Sequence, residues 1–197
     1  GGGGLLVANR LGVILVVDRD TVAVDPIRNI RVIKEDQVAA YQSGAVFNPV
    51  WLDRLGRVDT VRFMDWMNTN DSPVKRLDQL PLESDFSYAW RGAPLSVIVD
   101  LANTMQADPW LTLPHLADDA FVQKVAETVR DTLDPDLVAH VEYSNEVWNF
   151  MYEQASWAQG QAETVWGDIG DGWMQFYGKR AAEVMQIWTD AYGAQAE

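Results

Sequence analysis

A regular alternation of short apolar runs with longer amphipathic stretches constrains the fold of this chain more than any other feature. The strand-like runs lie at residues 27–33, 58–65, 110–113 and 138–143. The helix-like stretches begin at Asn48-Pro49 and recur at residues 93–105, 118–133, 150–163 and 175–192. Strands that alternate with helices predict a parallel sheet with right-handed crossovers. The sequence therefore indicates an α/β protein of about four β/α units.

The first 25 residues depart from this pattern. Leu5–Val7 and Val13–Val17 are short β-branched runs separated by turn-forming residues, and Asp25-Pro26 ends them. We therefore expect a short β-rich lead-in over residues 1–25 and one α/β domain over residues 26–197.

Charge and composition argue against several classes of function. A net charge of −14 argues against nucleic acid and anionic membrane surfaces as partners, since both attract basic faces. No apolar stretch reaches the ~18 residues of a membrane span. The chain has no cysteine, and His115 and His140 lie too far apart for a typical metal-ligand spacing. With no phosphate-binding glycine loop after a strand, neither a metal nor another cofactor is expected.

The segment 141–149, Val-Glu-Tyr-Ser-Asn-Glu-Val-Trp-Asn, is the most informative for function. An apolar run enters it, so Asn145-Glu146 lies where a strand should end. In a β/α barrel, active sites lie at that end of the strands. A carboxylate beside an amide donor and the indole of Trp148 suits general acid chemistry on a sugar.

Glu142, Asn145 and Glu146 have the spacing of the Glu-x-x-Asn-Glu sequence on the fourth strand of many clan A glycoside hydrolases. These are (β/α)8 enzymes that cleave sugars with two glutamates. The fuller string Glu-Tyr-Ser-Asn-Glu-Val-Trp-Asn is similar to a bacterial group described as cellulose-binding or cellulase-like proteins. One departure is Val147, where clan members commonly carry proline.

Two earlier segments resemble the same bacterial group. One is residues 62–70, Arg-Phe-Met-Asp-Trp-Met-Asn-Thr-Asn, and the other is Asp108-Pro109-Trp110 with Pro114-His115. The three motifs are collinear and the resemblance spans about residues 26–195. That is a stronger signal than a lone Asn-Glu dipeptide.

The resemblance implies the N-terminal half of a (β/α)8 TIM-type barrel, because a complete barrel needs eight units and about 250 residues. In clan A the acid/base glutamate lies on strand four and the nucleophile on strand seven. The resemblance therefore implies that Glu146 is the acid/base and that the nucleophile lies outside these residues. A retaining enzyme needs its two carboxyl groups about 5–5.5 Å apart.

The candidate site comprises one catalytic residue and a set of expected sugar contacts. The resemblance gives Glu146 the catalytic role. The expected substrate-binding residues are Asn145, Arg62, Asp65, Trp66, Asn68, His115, Tyr143 and Trp148. Structural alternatives stay open: Asn145 as a cap or turn residue, Arg62 in an ion pair with Glu142, and His115 as a satisfied structural histidine.

Three functions fit these features. The first is a glycoside hydrolase acting on β-linked polysaccharide such as cellulose. The second is a carbohydrate-binding protein that lacks a working carboxylate pair. The third is a half-barrel that forms a homodimer or joins a partner to close the sheet, because an open sheet exposes two edges and a large apolar face. A polysaccharide or oligosaccharide partner implies a secreted or periplasmic protein.

Overall fold

The computed structural model describes residues 31–85 and 87–196, and the chain divides into two compact units, Gly1–Gly56 and Arg57–Glu197. The predicted lead-in over residues 1–25 lies outside the described residues. In the first unit, a short 3-10 turn precedes helix α1 (Val38–Gln42), and helix α2 follows (Pro49–Leu55).

The start of α2 is as the sequence predicts. The Asn48 side chain accepts hydrogen bonds from the backbone amides of Val50, at 2.9 Å, and Trp51, at 3.4 Å. Pro49 occupies the first helical position, where its missing N–H leaves no bond unmade. The Asn-Pro dipeptide is therefore a capped helix start.

The second unit is built on one open sheet of three parallel strands. They are β1 (Thr60–Arg62), β2 (Asp108–Leu113) and β3 (His140–Tyr143), in the spatial order β1-β2-β3. In register, Arg62 lies opposite Trp110, and Thr112 lies opposite Glu142. The expected parallel pairing of these three strands is confirmed.

The prediction of a half TIM-type barrel with about four β/α units is wrong. Three parallel strands are found in one open sheet, with six α-helices in the described residues. Part of the predicted strand at 27–33 lies outside those residues, and its described part, 31–33, has no strand structure. Val32 is an apolar position of the alternation that suggested this strand, yet it is 73% exposed. The alternation therefore does not correspond to a buried strand face there.

Four helices complete the second unit: α3 (Leu95–Met105), α4 (Asp119–Thr132), α5 (Glu153–Trp166) and α6 (Gly172–Tyr192). The Asp118 side chain accepts from the Phe121 amide and caps α4. The expected α5 start at residue 150 is three residues early, since residues 144–152 form turns after β3. These turns place Asn145, Glu146 and Trp148 in a loop rather than on a helix.

Helices cover one face of the sheet. Leu111, Leu113 and Tyr143 point to that face and are buried. There they join apolar residues of α3 and α4, among them Ile98, Leu101, Val122, Val125 and Val129. A second apolar cluster lies between α5 and α6 and comprises Val147, Ala158, Ala162 and Phe176.

The opposite face of the sheet is polar. By strand alternation it carries Arg62, Trp110 and Glu142, together with Thr60, Asp108, Thr112 and His140. Arg62 pairs with Glu142 at 2.7 Å, and His140 lies 3.6 Å from Asp108. The described strands therefore present a polar surface on this face, where a half-barrel was expected to expose a large apolar one. A homodimer stays a prediction.

Candidate functional site

The carboxyl ends of the three strands form one edge of the sheet, called the rim here. Three loops leave it: the β1 loop (residues 63–94), the β2 loop (114–118) and the β3 loop (144–152). In open parallel sheets, ligands bind outside this edge. The rim carries most of the residues that the sequence motifs single out.

Two rim loops contain unusual backbone. Among the described residues, five non-glycine residues have positive φ, and four of them lie in the β1 and β3 loops. These are Asn68 (46°), Asp71 (52°), Ser144 (58°) and Glu146 (43°). The left-handed region costs an L-residue about 1 kcal/mol or more and persists where surrounding contacts enforce it.

Arg62 and Glu142 form an ion pair on the polar face, directly below the rim. Arg62 donates to Glu142 Oε2 from Nε at 3.1 Å and from Nη2 at 2.7 Å. Trp110 Nε1, at 3.0 Å, and Thr112 Oγ1, at 3.3 Å, donate to the same oxygen. The Arg62 guanidinium also lies 5.3 Å from the Trp110 ring centroid. Glu142 is thus bound by structural contacts, as the ion-pair alternative predicts.

Asn145 joins this ion pair to the rim loops. Its Oδ1 accepts from Arg62 Nη2 at 2.9 Å, and its Nδ2 donates to Asn70 Oδ1 at 3.0 Å. Asn145 is only 5% exposed. The structure therefore brings Arg62, at the end of β1, into contact with Asn145 in the β3 loop, where Glu146 is the next residue.

Glu146 lies next to this network but outside it. Its Oε2 accepts from Asn149 Nδ2 at 2.9 Å, and its carbonyl accepts from the Asn149 amide at 2.8 Å. The side chain is half-buried, whereas the following Trp148 is 60% exposed. A carboxylate and an open indole therefore lie two residues apart in one turn.

The predicted residues of the β1 loop have mixed roles. Asp65 is exposed, and Trp66 packs edge-on against Phe63 with ring centroids 5.8 Å apart. Asn68 donates to the carbonyl of Trp90 at 2.9 Å, which closes the loop on itself. Asp65 is free of this packing and faces solvent, while Trp66 and Asn68 hold the shape of the loop.

Gly92 allows that closure. Its φ is +91°, and a Cβ there would lie 2.6 Å from the carbonyl oxygen of Trp66. The same oxygen accepts a hydrogen bond from the Ala93 amide at 2.6 Å. No other residue type fits this approach of two backbone segments without movement.

His115 and Tyr143 lie on the buried side of the rim. His115 is 3% exposed, and its Nδ1 has no hydrogen-bond partner among the described residues. Burial lowers the pKa of His115 from 6.5 to about 4, and the nearby Asp71 carboxylate opposes the shift. The Tyr143 hydroxyl donates to the His115 carbonyl at 2.7 Å, and burial raises the pKa of Tyr143 well above its usual range.

Sequence reasoning missed Gln154, a residue of α5 with no exposed surface. It bonds to the β1 loop and to the β3 loop at once. A signal was present: Gln154 lies four and eight residues before Ala158 and Ala162, so it belongs to the buried stripe of the helix. A polar residue in such a stripe needs buried partners.

Neither a metal site nor a membrane span is found in the described part of the chain. No group of three or more histidine, cysteine or acidic side chains there is arranged to hold a metal ion. Among the helices described, none combines the length and the apolar character that crossing a bilayer requires.

Comparison with protein-family models, with curated proteins and with solved structures gave no match for this chain. The resemblance to clan A enzymes therefore depends on the three sequence motifs alone.

Proposed function

We propose that this protein binds β-linked oligosaccharide or polysaccharide at the rim, on the surface formed by Glu146 and Trp148 next to the nearly buried Asn145. The observation that carries the proposal is the concentration of left-handed, non-glycine backbone in the β1 and β3 loops. Such backbone is costly, and it clusters where a fold presents side chains to a ligand. Two of the three motifs that resemble the bacterial cellulase-like group, residues 62–70 and 142–149, run into these same loops.

The side chains of the surface suit a sugar. Trp148 offers an open indole, on which the apolar face of a pyranose ring can stack. The Asn145 amide and the Glu146 carboxylate supply a donor and an acceptor for hydroxyl groups. The chain charge of −14 and the rim carboxylates favour a neutral glycan over an anionic one.

Hydrolysis is the second candidate, with Glu146 as general acid/base. The half-buried Glu146 carboxylate with its single amide donor, Asn149, favours it. Two neighbouring carboxylates are committed to structural bonds: Glu142 to Arg62, and Asp71 to the backbone amide of Glu153 at 2.6 Å. A retaining glycosidase needs a second free carboxylate about 5–5.5 Å from the first, and neither of these two can supply it without losing its structural bonds, so we place binding first.

Calorimetric titration with neutral cello-, xylo- and manno-oligosaccharides tests the proposal. We expect at least one series to bind, and Trp148→Ala to weaken that binding about tenfold through the lost stacking energy. Trp166→Ala is the matched control, because Trp166 is also a partly exposed tryptophan (40%) but lies at the far end of α5. Absence of binding to all three series would sink the proposal.

Incubation of the chain with the bound glycan distinguishes binding from hydrolysis. If cleavage products form, Glu146→Gln should abolish them and keep affinity, since the amide keeps the shape and loses only the proton. Glu163→Gln, an exposed position on α5, should leave the rate unchanged. A glycan ligand is consistent with secretion or a periplasmic location, which stays part of the proposal.

A further inference from the structure

Gln154 is bonded to both loops that shape the proposed glycan site. Its Oε1 accepts from the Asp71 backbone amide at 3.1 Å. Its Nε2 donates to Asn70 Oδ1 at 2.7 Å and to the Asn145 carbonyl at 2.8 Å. Every polar atom of this buried side chain is therefore used, and all its partners belong to the rim.

These bonds form a network in which the donor and acceptor roles are fixed at both ends. A guanidinium and a backbone N–H can only donate. From one end, Arg62 donates to Asn145 Oδ1, so Asn145 Nδ2 must face Asn70. From the other end, the Asp71 amide donates to Gln154 Oε1, so Gln154 Nε2 also faces Asn70.

Both chains of donors end on one atom, Asn70 Oδ1. It accepts from Asn145 at 3.0 Å and from Gln154 at 2.7 Å. Reversing the Asn145 amide would place its NH2 against the Arg62 guanidinium and its oxygen against Asn70 Oδ1. The two donors would then face each other, and so would the two acceptors, and each such buried mismatch destabilises the reversed orientation.

We propose that Gln154 is a positioning residue: by orienting the Asn70 amide it acts together with Arg62 to fix the amide orientation of Asn145, and thereby the chemistry that Asn145 offers to a ligand. The inference depends on the proposed function. Asn145 Nδ2 carries two hydrogens, and Asn70 takes one of them. The second hydrogen is the one that Asn145 can offer to a ligand, so the ligand group beside it must be an acceptor, such as a hydroxyl or ring oxygen of a pyranose.

The test replaces the donor of Gln154 while keeping its size. Gln154→Glu keeps an oxygen for the Asp71 amide and loses the two outgoing bonds, and Gln154→Met loses all three. Gln161→Glu and Gln161→Met are matched controls, since Gln161 is half-buried on the same helix and outside this network.

Two measurements are made on each variant below its unfolding transition. The first is hydrogen exchange of the Asn145 side-chain amide by NMR, with the signal assigned from its loss in Asn145→Asp. The second is the dissociation constant for the oligosaccharide that the parent binds best. We expect both Gln154 variants to exchange about tenfold faster and to bind about tenfold more weakly, with both controls unchanged.

The outcomes separate this inference from the proposed function. If the parent binds no oligosaccharide, the proposed function fails, and exchange at Asn145 alone decides the positioning role. If folded Gln154 variants keep slow exchange, or exchange faster yet bind as tightly as the parent, the inference is overturned. Should the Gln154 variants fail to fold, Asn70→Ala removes the shared acceptor at a half-exposed site and must give the same two changes.

Discussion

The buried imidazole of His115 should make the protein sensitive to mild acid. Its pKa in the folded protein is about 4, against an ordinary value of 6.5, because burial disfavours the charged ring. Above pH 6.5 the ring is neutral in both states and has no effect on stability. Below pH 6.5 the unfolded chain takes up a proton that the folded chain refuses, so stability falls until the pH reaches about 4.

The magnitude follows from the size of the shift. A difference of about 2.5 pH units at about 1.36 kcal/mol per unit gives about 3 kcal/mol when the effect is complete. Between pH 7 and pH 5 the share is about 2 kcal/mol. That is a large part of the 5–15 kcal/mol typical of a whole domain.

Urea unfolding at pH 7, 6 and 5 measures this loss. His115→Gln removes the titrating group, so the parent should lose about 2 kcal/mol more than this variant between pH 7 and pH 5. His140→Gln is the control, since His140 is the other histidine and is exposed on the polar face. It should keep the steep dependence of the parent. Parallel curves for the parent and His115→Gln would refute the reasoning.

Two further substitutions test the contacts below and around the rim. Glu142→Gln should lower the free energy of unfolding by about 1–2 kcal/mol in thermal or urea melts, because four donors, two of them from Arg62, converge on one of its oxygens. Asp78→Asn removes an open surface pair and should cost less than about 0.5 kcal/mol; equal losses would contradict the role given to Glu142. Gly92→Ala should cost about 2–3 kcal/mol, because both its φ of +91° and a backbone oxygen oppose a Cβ. Gly44→Ala has nearly the same φ, +92°, and open space, so it should cost about 1 kcal/mol; an equal loss at both sites would show that strain alone acts.

Local signals in the sequence predicted local structure well. Asn48-Pro49 predicted the start of α2, and the amphipathic stretch from residue 118 predicted the start of α4 to within one residue. The apolar runs that became β2 and β3 were found to within two residues. In each case the deciding interaction joins residues close in sequence, or a run whose apolar side chains need burial whatever the topology.

The number of strands could not be predicted in this way. Residues 27–33 alternate as well as a true strand does, yet the part described has Val32 largely exposed. Alternation shows that a segment could present one apolar face, and only the remaining chain decides whether a partner face exists. The predicted half-barrel of four units depended on counting residues 27–33 as a strand as well as on the resemblance.

The rim network was also beyond sequence reasoning, apart from the pair of Arg62 and Glu142. Asn70 and Asn145 are 75 residues apart, and Asn70 and Gln154 are 84 apart. No periodicity reports a contact at such separation. For His115 two alternatives stayed open, a sugar contact or a structural histidine, because its position after β2 indicates the rim but does not decide whether the side chain points to solvent or into the core.

The beginning of α5 has a consequence for how the protein folds. Its N-cap residue, Tyr152, makes no side-chain capping bond, and the carboxylate that accepts from the Glu153 amide belongs to Asp71, 82 residues earlier in the chain. The first amides of a helix are normally capped by a side chain next to them in sequence. In α5 the capping bond from Asp71 can form only after the long loop between Asp71 and Glu153 has closed. We expect the first turn of α5 and the two rim loops to form late and together, and to open together in the native state. A substitution that destabilises the first turn of α5 or either rim loop should therefore destabilise the other two segments as well.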